Sequence, residues 1–354
     1  MTKAQEIICI LLSEALFGNK AKLPEDVPWE EVYRESIRQS AAMTVLPAVP
    51  KEAPLSVRME WINAAGVSAA NNEKNAAGHA YIHSLLSENN IPYVILKGMA
   101  SLYYYPDESM RVQGDVDFLV KREDAERCHE LLIKEGFTAA KNRLPYEWGY
   151  SKDGLEYELH LAVNGIPEGE AGKVTEGYLE DIIETASERS FAQGSAMFPD
   201  DFHHGLVILL HTARHMVSEG VGLRQICDWA AFAGRMGEAF PEIFEEPLKK
   251  TGLRHFALAL SGVCARYIGM PEFSWIPEPD GQFTESFMES LMEDLLRNGN
   301  LRRDPDSGAE IILIEKTDSG GISEGFGPGQ LYKNLAQKTK YKWPVMNKTK
   351  ILIP

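Results

Sequence analysis

The chain has 354 residues, 44% of them hydrophobic and 25% charged, and a formal net charge of −16 at pH 7. This length and apolar content are enough for a full hydrophobic core divided over two or three packed units. Strong negative charge repels phosphate polymers, which argues against long nucleic acid as a partner. Any phosphate site must therefore be a local island of positive charge.

The sequence predicts neither a membrane segment nor a cysteine framework. The longest apolar run near the start, Ile7 to Leu12, is too short to span a bilayer and has neither a basic flank nor a small-residue cleavage site. The four cysteines are scattered, without the C-x-x-C spacing of a zinc site, and are typical of small core residues. We expect a cytoplasmic protein without membrane contact, and the sequence carries no signal for its oligomeric state.

Helical spacing of apolar residues dominates the first 90 positions. It predicts helices from Thr2 to about Lys20, from about Pro28 to Ala42, and from Ser56 to about Asn89. Thr2 and Gln5 fit a capping box at the start of the first helix. Residues 1–90 are therefore predicted to form an N-terminal helical region.

The period changes after residue 90, where short β-rich runs alternate with helices. Strands are predicted over Ile91–Leu96, Gly114–Val120, Tyr146–Ser151 and Leu155–Val163, and helices over Ala100–Tyr105 and Glu123–Glu135. Asp153-Gly154 between two alternating runs is a strong hairpin signal. Residues 91–165 should thus form a small α/β core with a mixed sheet, giving an α+β fold overall.

The rest of the chain is predicted to be mostly helical after a polar, Gly-rich link from Gly165 to Gly177. Predicted helices cover about Tyr178–Arg189, Asp201–Glu219, Leu223–Met236, Phe240–Thr251 and Arg254–Tyr267. Asp304–Gln330 is rich in Gly, Asp and Ser and predicts a loop or hairpin. We therefore expect a C-terminal helical region over 178–300 and a Gly-rich segment with a tail over 301–354.

The stretch RVQGDVDFLV, residues 111–120, contains the second predicted strand and places two acidic residues in a sequence that otherwise predicts a buried strand. Side chains alternate across a strand, so Asp115 and Asp117 should share one face while Val116 and Phe118 point into the core. The same alternation on LEYELHLAV places Glu158 and His160 on one face. If the two strands are neighbours, Glu158 becomes a third carboxylate; otherwise the D-x-D pair simply lies on a solvated strand face.

Three carboxylates held together repel one another unless a cation lies between them. Oxygen ligands on rigid strands suit Mg²⁺ or Mn²⁺, which complete their shells with water and substrate phosphates. Lys97-Gly98 closes the preceding strand and, with Arg111, could supply a positive island for an anion. The alternative for Lys97 and Arg111 is an ordinary surface charge.

These residues resemble the signatures of a poorly characterised nucleotidyltransferase family within the DNA polymerase β-like superfamily. Leu96-Lys97-Gly98 resembles its LKG motif, Arg111 to Val120 its R-x₃-D-h-D-h-L-V motif, and Glu158-Leu159-His160 its E-L-H motif. The resemblance extends to Trp29, to His211, to Leu223-Arg224 with Asp228, and to the closing Tyr341–Pro354, and so covers most of the chain.

The resemblance implies a small nucleotidyltransferase core that uses a nucleoside triphosphate (NTP) and two divalent metals, Mg²⁺ or Mn²⁺. Asp115, Asp117 and Glu158 would be the metal ligands and the catalytic acids. Nucleotide or substrate binding would fall to Lys97, Gly98, Arg111, His160, His211, Arg224 and Asp228. The sequence departs from the superfamily in two respects: Met99 follows Gly98 where a serine is common, and the gap from Gly98 to Asp115 is longer than usual.

A second histidine pattern lies on the predicted helix that begins near Asp201. His204, His211 and His215 are seven and four residues apart and share one helix face. H-x-x-x-H can bind zinc, but Thr212 follows His211, so the glutamate of the H-E-x-x-H peptidase motif is missing. A structural role or a place in a substrate cleft is favoured. Arg224 and Asp228, four residues apart, could equally form a salt bridge on their helix.

Three functions are consistent with these patterns. The first is a metal-dependent nucleotidyltransferase acting on a small-molecule or protein acceptor. The second is a nucleotidyltransferase-like nucleotide-binding or regulatory protein without catalysis, motivated by Met99. The third, a zinc hydrolase that uses His211 and His215, has the least support.

Overall fold

The computed structural model describes residues 1–298 apart from 21, 168, 219 and 279–282. The predicted loop at Asp304–Gln330 and the closing segment Tyr341–Pro354 lie outside this range. Helices and a mixed five-stranded sheet make up the described part, so the α+β prediction is confirmed.

The chain begins with four helices: α1 Lys3–Phe17, α2 Trp29–Arg38, α3 Ala42–Val45 and α4 Leu55–Glu88. The predicted capping box is confirmed, since the Thr2 hydroxyl accepts from the Gln5 amide and the Gln5 side chain accepts from the Thr2 amide. The helix predicted from Pro28 to Ala42 ends earlier, at Arg38. The last turns of α4 are buried against the sheet, whereas most of its first half is exposed.

The central sheet contains β1 Tyr93–Ile95, β2 Val116–Val120, β3 Thr138–Ala139, β4 Glu147–Lys152 and β5 Leu155–His160. Its strand order is β1-β2-β5-β4-β3. β2 and β5 run parallel and the other neighbours antiparallel. The helices α5 Gly98–Leu102 and α6 Ala125–Lys134 connect these strands. The predicted strands and the Asp153-Gly154 hairpin are therefore present; three strands are shorter than predicted, and β4 keeps its predicted length but is shifted by one residue.

Alternation along β2 gives the sheet two different faces. Val116 and Phe118 pack in a cluster with the end of α4 and with α6, which covers one face. Leu119 belongs to a larger cluster that runs from α1 to the C-terminal helices. The face opposite α4 is the one that carries Asp117, and it is turned toward the C-terminal helices.

The C-terminal part contains α7 Glu170–Leu179, β6 Ser187–Phe191, β7 Gly194–Phe198, α8 Asp201–Ser218, α9 Leu223–Met236, α10 Phe240–Thr251, α11 Arg254–Val263 and α12 Glu285–Asn298. The bounds predicted for α9 and α10 are confirmed, and the helix predicted to end at Tyr267 continues past α11 as a π-helical turn, Cys264–Ile268.

The helix predicted over Tyr178–Arg189 is wrong. α7 begins inside the supposed Gly-rich link and ends at Leu179, and the chain then enters the hairpin β6–β7. The hairpin packs on distant partners: a Cβ added at Gly194 would lie 2.7 Å from the Ala80 Cβ on α4. Since those partners are about a hundred residues away, local spacing could not reveal them.

No helix in the described part of the chain combines the length and the apolar content needed to cross a membrane. The buried cluster that begins in α1 also includes residues of α8 to α12, so the N-terminal and C-terminal helices share one core. The division of the chain at residues 90, 165, 178 and 300 stays a prediction.

Candidate active site

A cleft of about 290 Å³ opens between the sheet and the helices α8 and α9. Its sheet side carries the carboxylates of Asp115, Asp117, Glu147 and Glu158. Its helical side carries the basic residues His211, Arg214, His215 and Arg224. The other lining residues are Lys97, Gly98, Arg111, Gly114, Leu144, Asn164, Gly220 and Gln225. The cleft therefore has an acidic wall on the sheet, facing a basic helical wall formed by α8 and α9.

The structure brings together all ten residues that the sequence suggests for the site. Eight of them line the cleft. The other two contact residues that do: His160 lies 2.9 Å from an Asp117 oxygen, and Asp228 accepts from Arg111. Their catalytic and binding roles stay predictions.

Asp117 and Glu158 lie side by side at the centre of the acidic wall. The parallel register of β2 and β5 pairs these two residues directly. Asp117 is only 7% exposed. Asp115, one residue before β2, is half-buried and lines the same cleft. The neighbouring strands that the D-x-D hypothesis required are therefore present.

Lys97 places its ammonium group between the two acids. Its Nζ atom lies 2.9 Å from Asp117 Oδ1 and 3.7 Å from Glu158 Oε2. The residue forms the turn from β1 to α5 with φ 48° and ψ −132°, a conformation that favours glycine. A lysine held in such a strained turn is typical of a functional site.

His160 closes the cluster from the end of β5. Its Nε2 atom lies 2.9 Å from Asp117 Oδ1 and 3.5 Å from Glu158 Oε2, and the residue is fully buried. Its Nδ1 atom lies 3.8 Å from Glu147 on β4, which is opposite His160 in the antiparallel register. Asn164 donates to Glu147 at 2.8 Å. Sequence reasoning missed Glu147, although the hairpin register could have placed it beside His160.

The four charged groups do not titrate alike. Burial raises the pKa of Glu158, and the Asp117 charge raises it further. Burial also acts on Asp117, but Lys97 and the hydrogen bond with His160 hold the pKa of Asp117 far below its usual range. Burial would lower the pKa of both Lys97 and His160, but the carboxylates outweigh it and raise both. Glu158 is therefore the carboxylate that most readily accepts a proton.

Arg111 lines the cleft and is also tied to a carboxylate on α9, and its role in nucleotide binding stays a prediction. It forms a buried, bidentate ion pair with Asp228 on α9, with distances of 2.6 Å and 2.8 Å, and the Tyr105 hydroxyl donates to the same carboxylate at 2.8 Å. Burial opposes the charge on Arg111, but Asp228 raises its pKa. The pair ties the loop before β2 to α9, and its positive charge is already matched.

Two asparagines of α4 hold the same loop from the other side. Asn72 donates to the Arg111 carbonyl and accepts from the Gln113 amide, each at 2.8 Å. Asn75, which is 1% exposed, donates to the Gly114 carbonyl at 2.9 Å. These bonds fix the backbone immediately before Asp115. Sequence reasoning missed both residues, because no local pattern links a helix position to a loop 40 residues away.

The three histidines of α8 lie in two environments. His211 and His215 line the cleft with their ring centroids 4.3 Å apart. His204 is buried and stacked on Tyr104, and burial lowers its pKa to about 3. Burial, followed by the charge of Lys97, also lowers the pKa of His211, which keeps it neutral.

The sheet side of the cleft carries a cluster of potential metal ligands. Among the described residues, one group brings three potential ligand atoms within 4.8 Å of one another, and it consists of Asp117, Glu158 and His160. The two carboxylates are ligands typical of Mg²⁺ or Mn²⁺, whereas an imidazole is a ligand typical of zinc, iron and other transition metals. His211 and His215 do not belong to that group, so the zinc hypothesis gains no support.

A comparison with models of protein families finds a match, and it covers more than half of the chain. A family model described as an uncharacterised nucleotidyltransferase matches residues 25–269. The matched range includes the whole sheet and both helices of the cleft. A search of curated proteins found no match. The family expected from the LKG, D-x-D and E-L-H motifs is thus confirmed.

Proposed function

Because the chain belongs to the uncharacterised nucleotidyltransferase family, whose general activity is nucleotidyl transfer, we propose that it uses an NTP and a divalent metal. It would move a nucleoside monophosphate to a small-molecule or protein acceptor. One observation carries this proposal: paired acids on the sheet face a row of basic residues on α8 and α9 across a single cleft. Such a cleft matches both ends of a metal–triphosphate complex.

The metal would be held by Asp117 and Glu158, with Asp115 and His160 as further candidates from the same face. Mg²⁺ or Mn²⁺ would neutralise charge on the phosphates and align the reacting groups. The cluster geometry supports the first two residues, whose ligand atoms lie within 4.8 Å of each other. The second metal of a two-metal mechanism would use Asp115, which remains a proposal from the family resemblance.

The helical wall would bind the triphosphate. Besides the expected His211 and Arg224, it presents Arg214 and His215. A Cβ added at Gly165 would lie 2.5 Å from the Leu210 carbonyl oxygen and 3.3 Å from the Arg214 Cβ, so this glycine lets the loop after β5 approach α8 closely. Met99, in the position of the superfamily serine, is 5% exposed and packs in the core. The basic residues of the helices would therefore replace the missing hydroxyl.

The proposed reaction is an in-line displacement. An acceptor oxygen attacks the α-phosphorus, a new phosphorus–oxygen bond forms, and the bond to the β-phosphate breaks to release pyrophosphate. Glu158 would help to hold the acceptor oxygen at the metal or take its proton. Lys97 and Arg224 would offset negative charge as the transition state forms, and neutral His211 would donate a hydrogen bond. Alignment and charge stabilisation would supply most of the rate.

The acceptor and the cellular location are also proposals. A net charge of −16 favours a small molecule or a protein over long nucleic acid as the acceptor. The four cysteines are unpaired and buried, as expected for a cytoplasmic protein.

The test uses the purified full chain with each of the four NTPs, Mg²⁺ and a cell metabolite extract. Pyrophosphate release is followed by phosphorus NMR, and nucleotidylated products by mass spectrometry. We expect pyrophosphate and a product heavier by one nucleoside monophosphate, and loss of both in Asp117→Asn. Asp153→Asn, at the hairpin turn, is the matched control and should retain activity.

Three other outcomes would count against the proposal. Release of inorganic phosphate instead of pyrophosphate would indicate a different bond cleavage. Full activity of Asp117→Asn would contradict the metal site. Binding of an NTP with Mg²⁺ but no turnover with any extract would favour the non-catalytic, nucleotide-binding alternative.

A further inference from the structure

We propose that Lys97 is the built-in counter-ion of the carboxylate pair and that a divalent metal must displace its ammonium group to bind. This inference rests on the proposed function, because it concerns the same metal site. It goes further in assigning to Lys97 a role in controlling metal affinity.

The Lys97 ammonium group occupies the place that a metal ion would need. Its Nζ atom lies within 4 Å of both Asp117 and Glu158, in the space between two potential metal ligands. A divalent ion bound to both carboxylates would have oxygen distances of about 2.0–2.2 Å. An ion that took the two oxygens now nearest Lys97, Asp117 Oδ1 and Glu158 Oε2, would come into contact with the ammonium group, and two cations at contact distance repel strongly in a buried site. The two cations are therefore mutually exclusive.

The side chain of Lys97 can move although its backbone is fixed. The backbone is fixed in its left-handed turn, and the Lys97 carbonyl accepts from the Ser101 amide at 3.0 Å inside α5. The side chain, in contrast, is a flexible four-carbon stem with a compact charge. Since Lys97 lines the cleft, its ammonium can turn from the acids toward the open cleft without any backbone change.

The positive charge of Lys97 would also link metal binding to nucleotide binding. A displaced Lys97 ammonium needs a new anionic partner, and in this cleft the triphosphate of a bound nucleotide would provide one. Metal and nucleotide would then each favour the binding of the other, because linkage is reciprocal. Without nucleotide, Lys97 keeps metal affinity low, so a metal binds tightly only when substrate is present.

The experiment measures Mn²⁺ binding to the full chain without nucleotide, from the loss of the free-Mn²⁺ signal in electron paramagnetic resonance. Lys97→Met and Lys97→Gln should each bind Mn²⁺ about tenfold more tightly than the wild type, a typical size for such a coupling. Lys121→Met removes an exposed lysine that pairs with Glu184 outside the cleft and should leave Mn²⁺ affinity unchanged. Far-UV circular dichroism checks that each variant folds.

The outcomes separate the two proposals. Equal or weaker Mn²⁺ binding in folded Lys97→Met, together with loss of binding in Asp117→Asn, would overturn the counter-ion role and leave the metal site standing. If neither the wild type nor Lys97→Met binds Mn²⁺, both the metal dependence of the proposed function and this inference fail. Tighter binding in both Lys97 variants supports the displacement.

Discussion

Asp228 binds two side chains that lie more than 100 residues away in the chain. The sequence suggests a local pair with Arg224, one helical turn away, but the structure pairs Asp228 with Arg111 and Tyr105. Helical spacing can identify neighbours on one helix, yet it carries no information about a loop that folds against that helix. The D-x-D strand is the opposite case, because strict alternation within one strand placed Asp117 on the correct face.

Removing Asp228 should be far more costly than breaking an exposed pair. In Asp228→Ala, Arg111 keeps a buried charge with no partner, and the free energy of unfolding should fall by roughly 3–5 kcal/mol. Tyr105→Phe removes only one hydrogen bond and should cost about 1 kcal/mol. Urea unfolding followed by circular dichroism measures both changes.

The Arg266–Glu285 pair serves as the control for this comparison. Its atoms are 3.2 Å apart and both side chains are exposed. Glu285→Ala should change the free energy of unfolding by about 1 kcal/mol at most. A loss as small as this in Asp228→Ala would show that Arg111 is solvated without its partner.

The helix α4 supports the site from behind through its asparagines. We expect Asn75→Ala to free the Gly114 carbonyl and to loosen the backbone that carries Asp115. A displacement of about 1 Å at a reacting group can slow a reaction about 100-fold, so we expect kcat for pyrophosphate release to fall by roughly 10- to 100-fold.

Asn71→Ala is the matched control, since Asn71 is exposed on the same helix. Asn75→Leu, which keeps a similar volume but cannot donate the bond, should resemble Asn75→Ala. If Asn75→Ala lowered stability and left kcat unchanged, the asparagine would have no positioning role.

Two glycines of α4 provide a direct comparison of helix propensity and packing. Gly66 has nothing within 4 Å of an added Cβ, whereas a Cβ at Gly78 would lie 2.9 Å from Val116 Cγ2 and 3.1 Å from Leu155 Cδ1. Gly66→Ala should therefore raise the free energy of unfolding by about 0.5–1 kcal/mol. Gly78→Ala should lower it by about 1–3 kcal/mol, because the strands beneath must shift. Urea unfolding measures the change in free energy of unfolding for both variants. Equal changes would mean that Val116 and Leu155 move aside at no cost in Gly78→Ala.

Local patterns were sufficient for elements whose apolar spacing is long and regular, such as α1, α4 and α9. They were insufficient for β6 and β7, where only two of the ten residues are buried and the structure depends on contacts with α4 and β1. The Met197 amide, for example, donates to the Tyr93 hydroxyl at 3.2 Å across more than 100 residues. The same limit applies to Glu147 and to the asparagines of α4, whose positions depend on tertiary packing.

The folded molecule buries histidines of opposite titration behaviour, which makes its stability depend on pH in two directions. His79 is 1% exposed, and burial lowers its pKa to about 4 although Asp117 acts to raise it. His203 is also buried, but there the carboxylates of Asp200 and Asp181, at 2.9 Å and 3.2 Å, outweigh burial and raise its pKa.

The signs follow from the protons bound in each state. An unfolded chain protonates His79 near pH 6.5, whereas the folded protein resists until about pH 4, so acidification between these values favours unfolding. The loss from His79 alone is about 2 kcal/mol at pH 5. His203 contributes stability that is fully present below its unfolded pKa and is lost as pH rises through its higher folded pKa.

Replacing the two histidines should therefore change the pH profile in opposite ways. We compare the free energy of unfolding of His79→Leu with that of the wild type at each pH. This difference should favour the variant by about 2 kcal/mol more at pH 5 than at pH 8, because the acid-induced loss is removed. His203→Leu should be more damaging at pH 5 than at pH 8, because it removes an ion pair that is fully formed at low pH and is lost as pH rises through the raised folded pKa of His203. Urea unfolding of the three proteins at both pH values measures the differences. Parallel profiles for His79→Leu and the wild type would show that buried His79 takes up its proton in the folded protein as readily as in the unfolded chain.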